Sequence, residues 1–185
     1  SDWSSDVCSS DLFKVKHNVP CYGYSLSIKR AGRFNADAAK EKEIPLRAWN
    51  PLQKGETVTI DGKTYTPDMV MGPERKGLKV TYCTDSRPTA EIVEAAKESD
   101  LFICEGMYSN PEDEKKAREK KHMTFFEAAK MAKEAEVKEL WLTHFSPSMF
   151  GPDFNVEETR KIFSNTFLGK DGKQVELNFS EDEEA

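Results

Sequence analysis

Three strand-like segments of this 185-residue chain lead into side chains that can bind metal ions or transfer protons. The first is followed by Thr84 and Asp85, the second by Glu105 and the third by His144. Because the carboxyl ends of parallel strands lie along one edge of a sheet, we expect these three residues to lie near one another. A carboxylate can bridge two ions and an imidazole can bind one, so Asp85 and His144 suit a zinc site. Two ligands do not complete such a site, and the others must come from outside this segment.

Each candidate also has a purely structural interpretation. Asp85 can cap the turn into the next helix, and Glu105 can be an N-cap or a buried carboxylate paired with a lysine. His144 can be a hydrogen-bonded core histidine. His122 follows two lysines and can be an exposed residue ahead of a helix, and Arg87 can be a surface ion-pair partner. Taken singly, the structural interpretation is favoured each time; their common placement makes a shared site an even alternative.

Alternating strands and helices must position these residues. Strands are predicted at 22–29, 78–83, 101–104, 140–143 and 174–177, with a hairpin at 57–66 that turns at Asp61 and Gly62. Helices are predicted at 35–43, 90–98, 111–121, 124–136 and 156–163, the first capped by Asn35. Residues 45–55 are predicted to be irregular, and 69–77 a loop. The alternation predicts an α/β layered fold whose sheet is at least partly parallel.

Charge and composition restrict the class of protein. The net charge is −6, which argues against a protein that holds nucleic acid by bulk charge. Local phosphate contacts are still open, because six of the 27 lysines and arginines fall within 115–121 and at Lys130. No apolar run approaches the roughly 20 residues of a membrane helix, so we expect no membrane partner. The four cysteines show no C-x-x-C spacing, which predicts buried free thiols in a reducing cytoplasm.

The first twelve residues, SDWSSDVCSSDL, differ in pattern from the rest of the chain. A back-translation of residues 2–12 resembles a common sequencing-library adapter. We therefore expect residues 1–12 to be a disordered artefact and residues 13–185 to be the native part. A natural Ser/Asp-rich terminus is the alternative.

Six segments resemble, in order and spacing, motifs of the ribonuclease Z family. LKVTYCTDSRP is similar to the family's G-D-T-R segment, ICEGM to H-E-A-T, HMT to H-S-T, and LTHFS to L-T-H-F-S. Upstream, HNVPCYGY and the pair AGRF and LQKGE also resemble the family. The similarity runs from about Phe13 to the end of the chain.

The resemblance implies the carboxy-terminal half of a metallo-β-lactamase fold, in which two mixed sheets are sandwiched between helices. It implies a cytoplasmic homodimer that uses two zinc ions per site. The family cuts precursor tRNA after the discriminator base, which releases the 3′ trailer. The family's H-x-H-x-D-H motif and a further ligand histidine are expected upstream of Phe13. We therefore expect this chain alone to be inactive and to expose a sheet face that the other half would bury.

The resemblance also implies roles for single residues. Asp85 corresponds to the aspartate that bridges both zinc ions, and His144 to a ligand of one of them. Glu105 and His122 match a conserved catalytic pair, and we hypothesise that they help to protonate the leaving 3′-oxygen. Where many relatives have an arginine this chain has Ser148, so Arg87 is predicted to contact substrate phosphate instead.

Two other functions are compatible with the sequence. One is a different metallo-β-lactamase-fold hydrolase that acts on a thioester or a sulfate ester. The other is a non-catalytic module for tRNA binding or dimerisation. The Glu105 and His122 segments favour the nuclease over the first, and the retention of Asp85 and His144 favours it over the second.

Overall fold

The predicted strand ends meet at one edge of a six-stranded sheet. The structure is a computed structural model that describes residues 7–149 and 156–180. The strands are β1 (Val7–Lys14), β2 (Tyr22–Arg30), β3 (Val58–Ile60), β4 (Lys63–Tyr65), β5 (Arg75–Cys83), β6 (Leu101–Glu105), β7 (Leu140–Thr143) and β8 (Thr166–Leu168). The helices are α1 (Ala36–Glu41), α2 (Leu46–Gln53), α3 (Ala90–Ala96), α4 (Glu114–Lys120), α5 (Phe125–Glu134) and α6 (Val156–Arg160). Short 3-10 turns lie at Pro67–Met69 and Pro111–Asp113. No helix in these described ranges is long and apolar enough to cross a membrane.

The order of strands in the large sheet is β1-β2-β5-β6-β7-β8. Strands β5 to β8 run parallel, as the alternation of elements predicts. The register places Cys83 beside Cys104 and Glu105 beside Thr143. The carboxyl ends of β5, β6 and β7 are therefore level with one another, and the loops that follow them begin at the same edge.

By its contacts the chain divides into two units. Of the described residues, the smaller comprises 7–9, Ile28–Gly77 and 179–180, and the larger comprises Ser10–Ser27, 78–149 and 156–178. The smaller unit packs α1, α2 and the β3–β4 hairpin around its own core of buried residues, which are Ala39, Ile44, Ala48, Leu52, Ile60 and Val70. As predicted, the hairpin turns at Asp61 and Gly62, both with positive φ, and Asn35 caps α1.

The core of the larger unit lies between the sheet and helices α3 and α5. Alternate residues of β6 and β7 point toward the helices, so Phe102 and Leu140 are fully buried. Helix α5 begins with the predicted capping box, in which Thr124 and Glu127 each accept a backbone hydrogen bond from the other.

The other face of the same sheet is open along β2 and β5. Tyr22, Tyr24 and Leu26 of β2 and Tyr82 of β5 are 40–53% exposed. Their neighbour Ser25 points to the helix side, where its hydroxyl donates to the carbonyl of Ala95. The sheet is thus covered by helices on one face and carries exposed aromatic side chains on the other, as expected for half of a sandwich.

Several predicted elements differ from the structure. Residues 45–55 contain α2, which forms despite Pro51 because Ala48 and Leu52 bury one face. Residues 174–177 form no strand; the last described strand is β8, whose three residues are too few to show alternation. Residues 7–12, expected to be disordered, lie in β1, while Ser1–Asp6 fall outside the described residues.

The helix expected at 111–121 is a 3-10 turn followed by α4, and α3 and α6 end earlier than predicted. The cysteines are free, but Cys8 is exposed and Cys21 only partly buried, so the prediction of buried thiols holds for Cys83 and Cys104.

Leu140→Ala is expected to lower the free energy of unfolding by about 2–5 kcal/mol, because it leaves a cavity in the core. Leu26→Ala removes the same atoms from a strand of the same sheet, but at a position that is 46% exposed. It is expected to change stability by less than about 0.5 kcal/mol. Urea denaturation of both variants measures the difference. Similar losses in the two would contradict the assignment of the core to the helix side.

Candidate functional site

Asp85 and His144 meet at the carboxyl edge of the sheet. Asp85 follows β5 by two residues and His144 directly follows β7, and His144 Nε2 lies 3.2 Å from Asp85 Oδ1. The hydroxyl of Thr84 donates to the same oxygen at 2.7 Å. Both Asp85 and His144 have positive φ, 42° and 56°, in the left-handed region that non-glycine residues seldom adopt. The two predicted metal ligands are therefore adjacent, and the backbone turns sharply to present each.

A third histidine, His17, faces the other oxygen of the same carboxylate. Its Nε2 lies 3.9 Å from Asp85 Oδ2, and its Nδ1 lies 3.1 Å from the carbonyl of Lys121. Since a carbonyl can only accept, Nδ1 carries the proton and Nε2 is free to bind a metal ion. Analysis of the sequence did not identify His17 as a site residue. The feature of the sequence that could have identified it is that His17 begins the segment HNVPCYGY, which resembles a segment of the family.

His17 is placed by a contact between distant parts of the chain. Lys16 and Arg87 form an isolated antiparallel bridge, in which the Arg87 N–H donates to the Lys16 carbonyl at 3.0 Å. The Lys16 N–H donates to the Ser86 hydroxyl, also at 3.0 Å. These bonds fix the loop after β5 against the segment that carries His17.

Glu105 and His122, the proposed catalytic pair, are hydrogen-bonded to each other. His122 Nδ1 lies 3.2 and 3.1 Å from the two oxygens of Glu105. The carboxylate also accepts the backbone N–H of Ser86, and that of Met123 at 3.3 Å. The Glu105 side chain is fully buried, and the ring of His122 lies between those of His17 and His144, with centroids 4.9 and 5.4 Å away and planes tilted by 50° and 33°. All three histidines of the chain therefore belong to one cluster.

Burial shifts the proton affinities of this pair in opposite directions. It raises the pKa of Glu105 to about 8, although the N–H groups of Ser86 and Met123 oppose the shift. It lowers the pKa of His122, and the nearby His17 lowers that pKa further. Near neutral pH the pair therefore holds one exchangeable proton between an acidic oxygen and a ring nitrogen.

Arg87 contacts the protein where a substrate contact was predicted. Its guanidinium donates to both carboxylate oxygens of Glu127 and to the backbone carbonyl of His122, and its side chain is 12% exposed. Because these bonds engage the guanidinium inside the protein, the predicted role as a free phosphate ligand does not fit this geometry. Arg87 instead joins helix α5 to the loop that carries His122.

The donor set suits part of a metal centre. Oxygen and imidazole nitrogen are the ligands that zinc takes in catalytic sites, and here both oxygens of Asp85 face a histidine nitrogen. Across residues 7–149 and 156–180, no three His, Cys, Asp or Glu side chains are arranged to hold one ion. The residues thus fit a bridging carboxylate with one histidine on each side, and further donors are required for each ion.

Comparison with known proteins shows the family of the chain. No protein-family model matches the chain. Over 170 residues it is 66% identical to a protein named ribonuclease Z from Agathobacter rectalis. The aligned region covers 92% of this chain and 56% of the relative. A ribonuclease Z of Lachnoclostridium phytofermentans is 52% identical over 181 residues, or 96% of this chain and 60% of the relative. The chain belongs to the ribonuclease Z family. It spans about half the length of the curated relatives it matches.

Two solved structures show the fold. The short form of human tRNase Z matches with a TM-score of 0.55 and 17% identity, over 97% of this chain and 49% of that one. A metallo-β-lactamase-fold protein of Bacillus subtilis matches with a TM-score of 0.53 and 22% identity, over 90% of this chain and 50% of that one. The predicted fold, part of a metallo-β-lactamase sandwich, is confirmed.

Where the resemblance to the ribonuclease Z family implies an arginine in many members, this chain has Ser148, whose hydrogen bonding among the described residues is local. Its hydroxyl lies 2.8 Å from that of Ser146. This short side chain cannot reproduce a long cationic one, so any phosphate contact of the family arginine has to come from other residues.

The shifted pKa of Glu105 makes a prediction about stability. Between its ordinary pKa of 4.5 and about 8, the folded chain holds a proton that the unfolded chain has lost. The free energy of unfolding therefore falls as pH rises through this range. We expect Glu105→Gln to reduce the fall between pH 7 and 8.5, a window above the ordinary pKa of histidine. Urea titrations of both proteins, with a chelator present, measure it. An unchanged pH dependence would show that Glu105 is already ionised at neutral pH.

Proposed function

We propose that this chain is the carboxy-terminal half of a zinc-dependent endoribonuclease that removes 3′ trailers from precursor tRNA. The observation that carries the proposal is the placement of a histidine nitrogen against each oxygen of Asp85, beside the buried Glu105–His122 pair. The names of the relatives supply the substrate class. The geometry supplies residues for the two tasks of phosphodiester hydrolysis, which are activating water and protonating the leaving oxygen.

The metal-binding part of the proposal uses three side chains. Asp85, His144 and His17 would hold the zinc, with the carboxylate of Asp85 between the two imidazoles. The H-x-H-x-D-H segment expected upstream of Phe13 provides the remaining donors. When bound, two such ions lower the pKa of a water molecule and neutralise charge on the phosphate. The hydrogen bond from His17 Nδ1 to the Lys121 carbonyl keeps the other ring nitrogen directed at Asp85.

Glu105 and His122 serve the leaving group in this proposal. The buried carboxyl group and the ring share a proton near neutral pH, and His122 is the more accessible of the two, at 14% side-chain exposure. His122 hands the proton to the departing 3′-oxygen, and Glu105 holds the ring in the orientation to do so. The backbone N–H groups of Ser86 and Met123 fix the carboxylate in turn.

The setting of the complete enzyme is also part of the proposal. A homodimer that acts on precursor tRNA in the cytoplasm is what the resemblance implies. The free cysteines agree with a reducing compartment. The mass in solution of the chimera described next tests the dimer.

A chimera tests the metal site and the activity together. The part of the Agathobacter rectalis relative that this chain does not cover is joined ahead of residue 13. We expect the chimera to cleave a precursor tRNA that carries a 3′ trailer, and to bind close to two zinc ions per chain. Asp85→Ala should remove cleavage and lower the zinc content, because both ions lose a ligand.

Asp37→Ala is the matched control, since that carboxylate is 94% exposed and pairs only with Lys40 among the described residues. A chimera that folds, binds zinc and hydrolyses a thioester or a sulfate ester but not tRNA would favour another hydrolase. Full cleavage by the Asp85→Ala chimera would exclude the proposed bridging role.

His122→Ala in the chimera is expected to lower kcat by roughly 100-fold or more, the range typical of general acid catalysis. The KM for precursor tRNA should change little, because the ring acts on the leaving oxygen and not on binding. His122→Gln, which can keep a hydrogen bond to Glu105 but cannot transfer the proton, should lose as much activity. Equal losses in kcat and in affinity would instead assign His122 to substrate binding.

A further inference from the structure

A cleft of about 610 Å³ opens beside the loop that follows β5. Its walls come from that loop, from the segment before His17 and from helices α4 and α5. Five cations line it, namely Lys16, Arg87, Arg118, Lys121 and Lys130. Three carboxylates also line it, namely Glu114, Glu127 and Glu134. The cleft therefore has a net charge of +2, in a chain whose net charge is −6.

The cations of the cleft fall into two groups. Arg87 and Arg118 are neutralised by ion pairs with Glu127 and Glu114. The three lysines have no carboxylate within ion-pairing distance among the residues that the structure describes. Lys121 reaches only the carbonyl of His17, at 3.5 Å. Glu134, the third carboxylate of the lining, makes no ion pair within the described part of the chain, so the three lysines leave the cleft with its net charge of +2.

These lysines are tied to the candidate site by the chain itself. Lys16 immediately precedes His17, and Lys121 immediately precedes His122. Arg87, also in the wall, donates to the carbonyl of His122. The cleft therefore adjoins the segments that carry His17 and His122, and a polymer bound at His122 could extend into it.

The lining of the cleft indicates which kind of polymer that is. None of its ten residues is aromatic, and only Pro88 and Met131 are apolar. Protein-binding surfaces depend on aromatic and other apolar anchors, and base-reading or base-stacking surfaces depend on aromatic rings. Lysines without such anchors are suited to phosphate, which they contact as point charges.

We propose that this cleft binds the sugar–phosphate backbone of the RNA strand that passes through the scissile bond. Lys16, Lys121 and Lys130 are its phosphate contacts. The inference rests on the proposed nuclease function. Because the contacts are to phosphate alone, binding is independent of base sequence and strongly dependent on salt.

The test is the salt dependence of RNA binding by the 185-residue chain. A labelled 12-nucleotide single strand of mixed sequence is titrated from low salt upward, with a chelator present to prevent cleavage. Each phosphate contact contributes about 0.7 to the slope of log K against log salt for a single strand. We expect Lys130→Ala and Lys121→Asn each to lower the slope by about that amount. Asparagine is chosen because Lys121 has a φ of 58°.

Matched controls lie on the same helices. Lys133 is exposed on α5 close to Lys130, and Lys120 is exposed on α4 next to Lys121, but neither lines the cleft. Alanine at either position is expected to leave the slope unchanged. If Lys121→Asn perturbs folding in a thermal melt, Lys121→Gly replaces it. Equal slopes for cleft and control variants would overturn the proposal, as would a wild-type chain that does not bind the RNA at low salt.

This outcome is separable from that of the proposed function. If the chimera cleaves tRNA but the cleft and control variants give equal salt slopes, only the proposal that the cleft binds RNA is rejected. If the variants of the chain show the expected slopes but the chimera neither binds zinc nor cleaves tRNA, the RNA-binding cleft is supported and the nuclease function is rejected.

Discussion

Glu105 lies fully buried at the end of β6, and its carboxylate joins the loops that form the candidate site. It accepts the N–H of Ser86 from the loop after β5 and the N–H of Met123 from the segment before α5, and it contacts the ring of His122. An unpaired carboxylate at this depth would be strongly unfavourable, so Glu105 needs these hydrogen-bond partners. In turn, Glu105 holds the two loops that carry them. Asp85, one residue from Ser86, and His122, one residue from Met123, are positioned as a consequence.

The same carboxylate connects the site to the core. Glu105 follows Cys104, which packs against Met123 on the helix side of the sheet, so core and site alternate along a single strand. Arg87 makes a second connection from the outside, through Glu127 to the capping box of α5. The position of His122 therefore depends on the start of α5 through its backbone and on the sheet through Glu105. Rigid elements on both sides are what precise proton transfer requires.

Sequence alone predicted the part of the site that depends on strand ends. Buried runs followed at once by Asp85, Glu105 or His144 indicate parallel strands with a common edge, and the register of β5, β6 and β7 agrees. His17 was missed because it follows no buried parallel strand, and a bridge to a residue 71 positions after Lys16 places it. Strand β8 was missed because three residues carry too little pattern.

The interpretation of Arg87 illustrates another limit. Charge and position are visible in a sequence, but the partner of a guanidinium is a property of the folded chain. The bonds to Glu127 and His122 convert an expected ligand for substrate into a connection inside the protein. The sequence likewise does not show which cations are neutralised by ion pairs. The structure shows that Arg87 and Arg118 are paired and that, within the residues it describes, the lysines of the cleft are not.

The positive φ angles of Asp85 and His144 have a consequence for how such a chain changes over time. Glycine or asparagine would relax the backbone at either position, since both tolerate this conformation better than aspartate or histidine does. Selection for stability alone would therefore tend to replace these two side chains. If related sequences keep them in spite of the backbone strain, the side chains are retained for their chemistry. A copy of the gene that is no longer under selection for activity is expected to lose them early.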